Sequence, residues 1–134
     1  MATSFLGANS NILPNTAAAF GVISTLIGIN AVLRPRSALK IFDFKLPDDP
    51  KSHQLIDALL LIYGARDIGL GLLTLIVWYH GDRTALGWSV LIGSSVPVAD
   101  GIVSGWVMGE DVWKHFAFVP VMAAVGAGLL GWLG

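Results

Sequence analysis

Arg66 and Asp67 stand side by side inside LLLIYGARDIGLGLL, residues 59–73, a run that is otherwise apolar. A charge at the centre of a membrane span costs at least about 2.5–3.5 kcal/mol on insertion scales, so charges there must face one another or water rather than lipid. A third charged residue, Asp100, lies in a second apolar run. One arginine among two aspartates leaves a surplus negative charge, and keeping a proton on one carboxyl would remove it. A protonated acid, an ionised carboxylate and a fixed cation in a sheltered hollow are the parts of a general acid–base catalyst. Asp67 and Asp100 are therefore the candidate acid and base, in either order, with Arg66 holding both. Successive helical residues point about 100° apart, so Arg66 is expected to bridge to Asp100 across the helices. Asp67 would share the network through hydrogen bonds or water. The bland alternative is a buried ion network that merely orients the helices.

Other polar or aromatic residues fall at comparable depth. Tyr63 precedes Arg66 by three residues and Asp67 by four, and Asp57, Gly64, Asp67 and Gly71 recur at helical spacing on one face. Gly93, Pro97, Asp100 and Ser104 form a similar stripe, where Pro97 frees a carbonyl near Gly93. Candidate substrate contacts are Tyr63, Asn30, Asp57, Ser104, Trp106 and His115. For Trp106 the commoner role is an interfacial anchor, and His115 beside Lys114 is also more ordinary as an interface residue. The absence of cysteine removes thiolate chemistry, and the three histidines lie far apart without metal-ligand spacing. No metal and no cofactor are expected. Gly69-Leu70-Gly71 follows no strand, so it is not a nucleotide loop. The Asp48-Asp49 pair of PDDP reads as a solvated turn rather than a magnesium–diphosphate site.

The elements that must position these groups follow from composition. The chain has 134 residues, 54% hydrophobic and 13% charged, against about 25% charged in soluble proteins. So small a domain could not bury that much apolar surface in water. The expected fold is all-α, an integral membrane four-helix bundle with short loops in a single domain, residues 1–134. About 20 apolar residues span a bilayer, which places spans at about 16–33, 54–79, 84–107 and 114–133. On this reading Arg66 lies about 18 Å into the second span. Pro14 and Asn15 mark the start of the first span, and RPR (34–36) its end. SALKIFDF (37–44), opening on a capping serine, could lie in the interface as an amphipathic helix. Glycines, among them Gly64, Gly71, Gly101, Gly105, Gly128 and Gly131, with Ala124, suit close helix packing.

Arg34, Arg36, Lys40, Lys45, Lys51 and Lys114 fall on one side of these spans and Arg83 alone on the other. The imbalance puts the basic first loop in the cytosol and both termini in the lumen or exterior, with the endoplasmic reticulum as the expected membrane. The N-terminal stretch MATSFLGANSNILPN reads as a short exposed lead-in rather than a cleaved signal. A net charge of −1 without a basic stripe argues against nucleic acid. The expected partners are the bilayer, a hydrophobic small molecule and, through glycine-rich faces, a second copy of the chain.

LRPRSALKIFDF, YGARDIGLG and VADG together resemble the small four-span membrane proteins of domain-of-unknown-function family 4267. The resemblance covers nearly the whole chain. It implies fungal natural-product pathways, in which some members are thought to act as cyclases, isomerases or epoxide-opening enzymes. It carries over to Arg66, Asp67 and Asp100, and to Tyr63. The constellation is also similar to that of the limonene epoxide hydrolases, which set an arginine between two aspartates on an unrelated fold. The function expected is thus cofactor-free acid–base chemistry, as cyclase, isomerase or epoxide hydrolase, on a hydrophobic secondary-metabolite intermediate. The alternatives are a small proton-coupled transporter, since intramembrane carboxylates also mark ion paths, and a structural membrane adaptor.

Overall fold

A computed structural model describes residues 10–109 and 113–133. The expected lead-in lies, up to residue 9, outside the described residues. The fold is all-α, as expected. Its elements are α1 (Ile12–Leu33), α2 (Pro35–Leu39), a 3-10 turn (Lys40–Phe42), α3 (Pro50–His80), α4 (Arg83–Gly93), α5 (Ser95–Met108), α6 (Trp113–Phe116) and α7 (Phe118–Leu129). Three stretches, Ile12–Leu33, Pro50–His80 and Arg83–Met108, are long and apolar enough to cross a membrane, and Trp113–Leu129 is a shorter apolar one. The protein is a helical membrane protein.

Local chemistry sets the boundaries, and several differ from those expected. Helix α1 starts at Ile12 rather than near Thr16 because Pro14 falls in the first turn, where its missing N–H is not needed. The Ser10 hydroxyl accepts from the Ile12 N–H at 3.2 Å. Helix α3 begins four residues earlier than expected, at Pro50, because Asp49 caps it. The Asp49 carboxylate accepts the backbone N–H groups of Lys51 (3.3 Å) and Ser52 (2.9 Å) and the Ser52 hydroxyl (2.7 Å). The turn expected at PDDP is thus also the start of the longest helix. Ser37, expected to cap the interfacial helix, does not do so. That helix starts at Pro35, in the proline-tolerant first position, with Arg34 in the capping place and no side-chain cap.

Two interruptions share one cause. The third span breaks at Ser94 and the fourth at Ala117, each three residues before a proline, Pro97 and Pro120. Each proline withholds the N–H that the carbonyl four residues earlier would have received. The fourth helical stretch also stops at Leu129 instead of 133. Gly131, at φ 75°, turns the chain there, with Trp132 N–H on the Ala127 carbonyl (2.9 Å) and Gly131 N–H on that of Gly128 (3.1 Å). This Schellman arrangement pairs carbonyls that a helix end otherwise leaves bare. Gly131 is therefore a terminator, not the packing glycine expected.

The chain packs as two compact units, one within Met1–Phe20 and Thr74–Gly134, the other within Gly21–Leu73. In the first, Leu13, Ala17, Leu86, Val90, Val125 and Leu129 form the core. A Cβ added to Gly87 would sit 3.1 Å from the Gly126 carbonyl, and one on Gly126 the same distance from that of Gly87. In the second, Ala31, Ala38, Leu39 and Leu60 are buried together, with Phe44, Ile56 and Tyr63 packed on them. Helix α2 is thus seated on α1 and α3 by Ala38 and Leu39. Lipid tails are as apolar as leucine, so both cores hold by close contact rather than by a hydrophobic drive.

Candidate functional site

The site begins with two stripes of small residues in the unit Gly21–Leu73. A Cβ built on Gly28 would lie 2.5 Å from the Gly64 carbonyl, and one on Gly64 would lie 2.6 Å from that of Gly28. Two turns further along α3, a Cβ on Gly71 would lie 2.5 Å from the Gly21 carbonyl. Backbones of α1 and α3 therefore touch on both sides of Asp67. Between these contacts the Ser24 hydroxyl donates to the Asp67 backbone carbonyl at 2.9 Å. Asp67 is buried as a consequence, at 5% exposure. The face expected on α3 is real for Gly64, Asp67 and Gly71, which are buried together with Leu60.

Arg66 engages its sequence neighbour, a contact that helical angle alone discounts. Its side chain folds back along α3, with Nε and an Nη atom each 3.0 Å from Asp67 Oδ1. The 100° offset between neighbours had argued against this pair, but the arginine arm is long enough to close the gap along the helix surface. One turn earlier, the Tyr63 ring lies beneath the guanidinium, 4.6 Å from ring centroid to Cζ. Tyr63, Arg66 and Asp67 form one polar cluster near the middle of a helix of 31 residues. The Arg66 side chain is 38% exposed while that of Asp67 is 7% exposed. The cation is accessible and its carboxylate is sheltered behind it.

The cluster extends toward the 3-10 turn at Lys40–Phe42. Phe42 meets Tyr63 edge to face with centroids 5.3 Å apart, and Phe44 stacks on Phe42 at 5.6 Å. Asp57 stands nearer the start of α3, where Arg36 of α2 approaches it at 3.8 Å. Its second oxygen, Oδ1, is buried without a hydrogen-bond partner among the described residues. Asn30 is half-buried on α1, and its backbone carbonyl accepts the Arg34 N–H at 2.7 Å.

The remaining candidates belong to the other unit. Asp100 is half-buried on α5, next to the buried Gly101. Ser104, one turn on and 4% exposed, shares a hydrogen bond with His115 Nε2 of α6 at 3.3 Å. The Phe116 ring fills the space over Gly101, where a Cβ would meet it at 2.8 Å. Trp106, at 86% exposure, stands on the outer face of α5 as an anchoring tryptophan would.

Sequence reasoning missed Gly21, Ser24 and Gly28, the α1 half of the Asp67 contact. Their signal was present as small residues at helical spacing in GVISTLIG (21–28). It also missed Phe42 as a neighbour of Tyr63, which no spacing rule could show because a loop lies between them.

No curated protein and no solved structure matches the chain. A family model described as a domain of unknown function, DUF4267, matches residues 21–129, a span that includes Tyr63, Arg66, Asp67, Asp100, Ser104 and His115. The chain belongs to the DUF4267 family.

Proposed function

We propose that the protein is a cofactor-free acid–base enzyme that opens or rearranges a hydrophobic small molecule reaching it from the bilayer. The observation that carries this reading is the Tyr63–Arg66–Asp67 cluster, a carboxylate at 7% side-chain exposure behind a half-exposed guanidinium, midway along a membrane-length helix. Charges at such depth are expensive and are kept where they bind, relay protons or react.

In the epoxide-opening form of the reading, the Asp67 carboxylate takes the proton of a substrate hydroxyl. The freed oxygen attacks an epoxide carbon, one C–O bond forms and the epoxide C–O bond breaks. Arg66 N–H groups stabilise the departing oxygen as its charge develops, and the proton held by Asp67 returns to it. An internal hydroxyl gives a ring and water gives a diol. Tyr63 keeps the guanidinium in place from its other face. Asp100 stays a candidate acid by its chemistry alone and is tested by its own replacement. The substrate class, a lipophilic secondary-metabolite intermediate, follows the family resemblance, and the basic first loop argues for a cytosolic placement of that loop in the endoplasmic reticulum membrane.

The test compares lipophilic extracts of cells lacking the protein with those of cells carrying wild-type, Asp67→Asn or Asp100→Asn chains. A precursor should accumulate without the protein, and Asp67→Asn, inserted at normal levels, should fail to clear it. Full clearance by Asp67→Asn would overturn the reading. One observation favours a second reading, in which the pair only locks α1 to α3: the Ser24 bond to the Asp67 carbonyl lies at the same crossing. A lock predicts that Asp67→Asn loses folded protein rather than turnover.

A further inference from the structure

Four side chains form an unbroken path from the 3-10 turn to the buried carboxylate. Asp43 ends the 3-10 turn in the left-handed region, at φ 57°, a conformation that non-glycine residues adopt at a cost. That turn sets Phe42 and Phe44 ring against ring at 5.6 Å. Phe42 then meets Tyr63 edge to face, at 79° and 5.3 Å. Tyr63 also lies against the Arg66 guanidinium, 4.6 Å from its centroid, and Arg66 reaches Asp67 at 3.0 Å. An aromatic ring offers a cation its negative face and receives a second ring's positive edge. Phe42 thus restrains the ring that restrains the cation.

Position gives the path its direction. Ala38 and Leu39, just before the turn, are buried against Ala31 and Leu60, so the turn is pinned to both long helices and Phe42 is not a free loop residue. Ile41 beside it is 39% exposed and Lys40 is exposed.

We infer that Phe42 is a positioning residue: through Tyr63 it fixes where Arg66 sits, and so how far Asp67 is covered. The inference takes Asp67 as the working carboxylate of the acid–base reading, but it is tested without turnover. It implies that the segment Pro35–Phe44 sets the reactivity of a group buried in the span.

The measurement is the rate at which dicyclohexylcarbodiimide, a lipid-soluble carboxyl reagent, labels Asp67 in the full chain reconstituted in phosphatidylcholine vesicles, read by peptide mass spectrometry. Phe42→Ala should raise the rate about two- to fivefold, the ratio that a cation–π contact at an exposed site carries. Phe42→Leu, which keeps apolar bulk but has no ring edge, should raise it similarly. Phe42→Tyr should hold it at the wild-type value. A merely structural role predicts that leucine restores the rate as well as tyrosine does, and that outcome overturns the inference. So does an unchanged rate in Phe42→Ala. Should Phe42→Ala fail to fold, the leucine and tyrosine variants alone still decide. Failure here with Asp67→Asn still blocking turnover would remove the positioning role and leave the enzyme standing; the reverse pattern would leave the positioning role and remove the enzyme.

Discussion

Gly28 of α1 and Gly64 of α3 face each other so closely that a methyl group on either would lie 2.5–2.6 Å from the other's backbone carbonyl. Neither helix can shift along the other without parting the Ser24–Asp67 bond three residues away. Gly28→Ala and Gly64→Ala should each destabilise the folded protein by about 1–3 kcal/mol, the usual cost of overpacking. Gly69, on the same helix but with nothing within 4 Å of an added Cβ, is the internal control. Gly69→Ala should be neutral or slightly stabilising, because alanine is the better helix former. Thermal unfolding in detergent micelles, followed by circular dichroism, separates the two classes.

The Arg66–Asp67 pair gives a second prediction. Replacing one partner removes a charge-assisted contact at 3.0 Å from the other, so Arg66→Gln and Asp67→Asn should each cost about 1.5–3 kcal/mol. The double variant should cost clearly less than the sum, because both single variants lose the same contact. Ser24→Ala, which removes only a neutral interhelical bond, should cost about 0.6 kcal/mol. Additive effects of Arg66→Gln and Asp67→Asn would mean that the two side chains act independently despite their 3.0 Å contact.

These two results bear on how much was readable beforehand. Helix class and the shared face of Gly64, Asp67 and Gly71 follow from periodicity, which depends only on residues close in sequence. The breaks at Ser94 and Ala117 were half legible: Pro97 was recognised as freeing a carbonyl, while Pro120 obeys the same rule unnoticed. The direct Arg66–Asp67 contact is discounted by helical angle alone, because that measure leaves out side-chain reach. Phe42 on Tyr63 was not legible at all, since the turn that brings them together depends on a left-handed Asp43, a conformation that its sequence permits but does not announce.

The start of α3 carries a pH dependence. Hydrogen bonds from the Ser52 hydroxyl, the Ser52 N–H and the Lys51 N–H hold the Asp49 carboxyl below its ordinary value of 3.8. A carboxylate whose pKa is depressed in the folded chain contributes stability that is fully present above the unfolded value and is lost as pH falls through the folded one. Amide hydrogen exchange at Lys51 and Ser52 should therefore be flat, after correction for intrinsic rates, from neutrality down to about pH 5 and should lose protection below the ordinary carboxylate range. Asp49→Ala should show that reduced protection at every pH. Asp49→Asn, still a good cap, should keep most of it and lose the pH dependence.

The last prediction concerns the contact between α5 and α6. Phe116 covers Gly101, and Ser104, one turn on, is bonded to His115, so two adjacent contacts tie a helix of 14 residues to one of four. A Cβ at Gly101 would meet the ring at 2.8–3.1 Å along its far edge. The ring rather than the backbone must then give way. Gly101→Ala should accordingly displace Phe116 and lengthen the neighbouring Ser104–His115 bond, which at 3.3 Å has little to spare before it ceases to count as one. Combining Gly101→Ala with Phe116→Leu should restore the bond, because leucine is shorter at the point of contact. The His115 ring reports the outcome through its nitrogen chemical shifts: Gly101→Ala should move them toward those of Ser104→Ala, and the double variant should return them to wild type. Shifts in Gly101→Ala that match wild type would mean that the two contacts are independent.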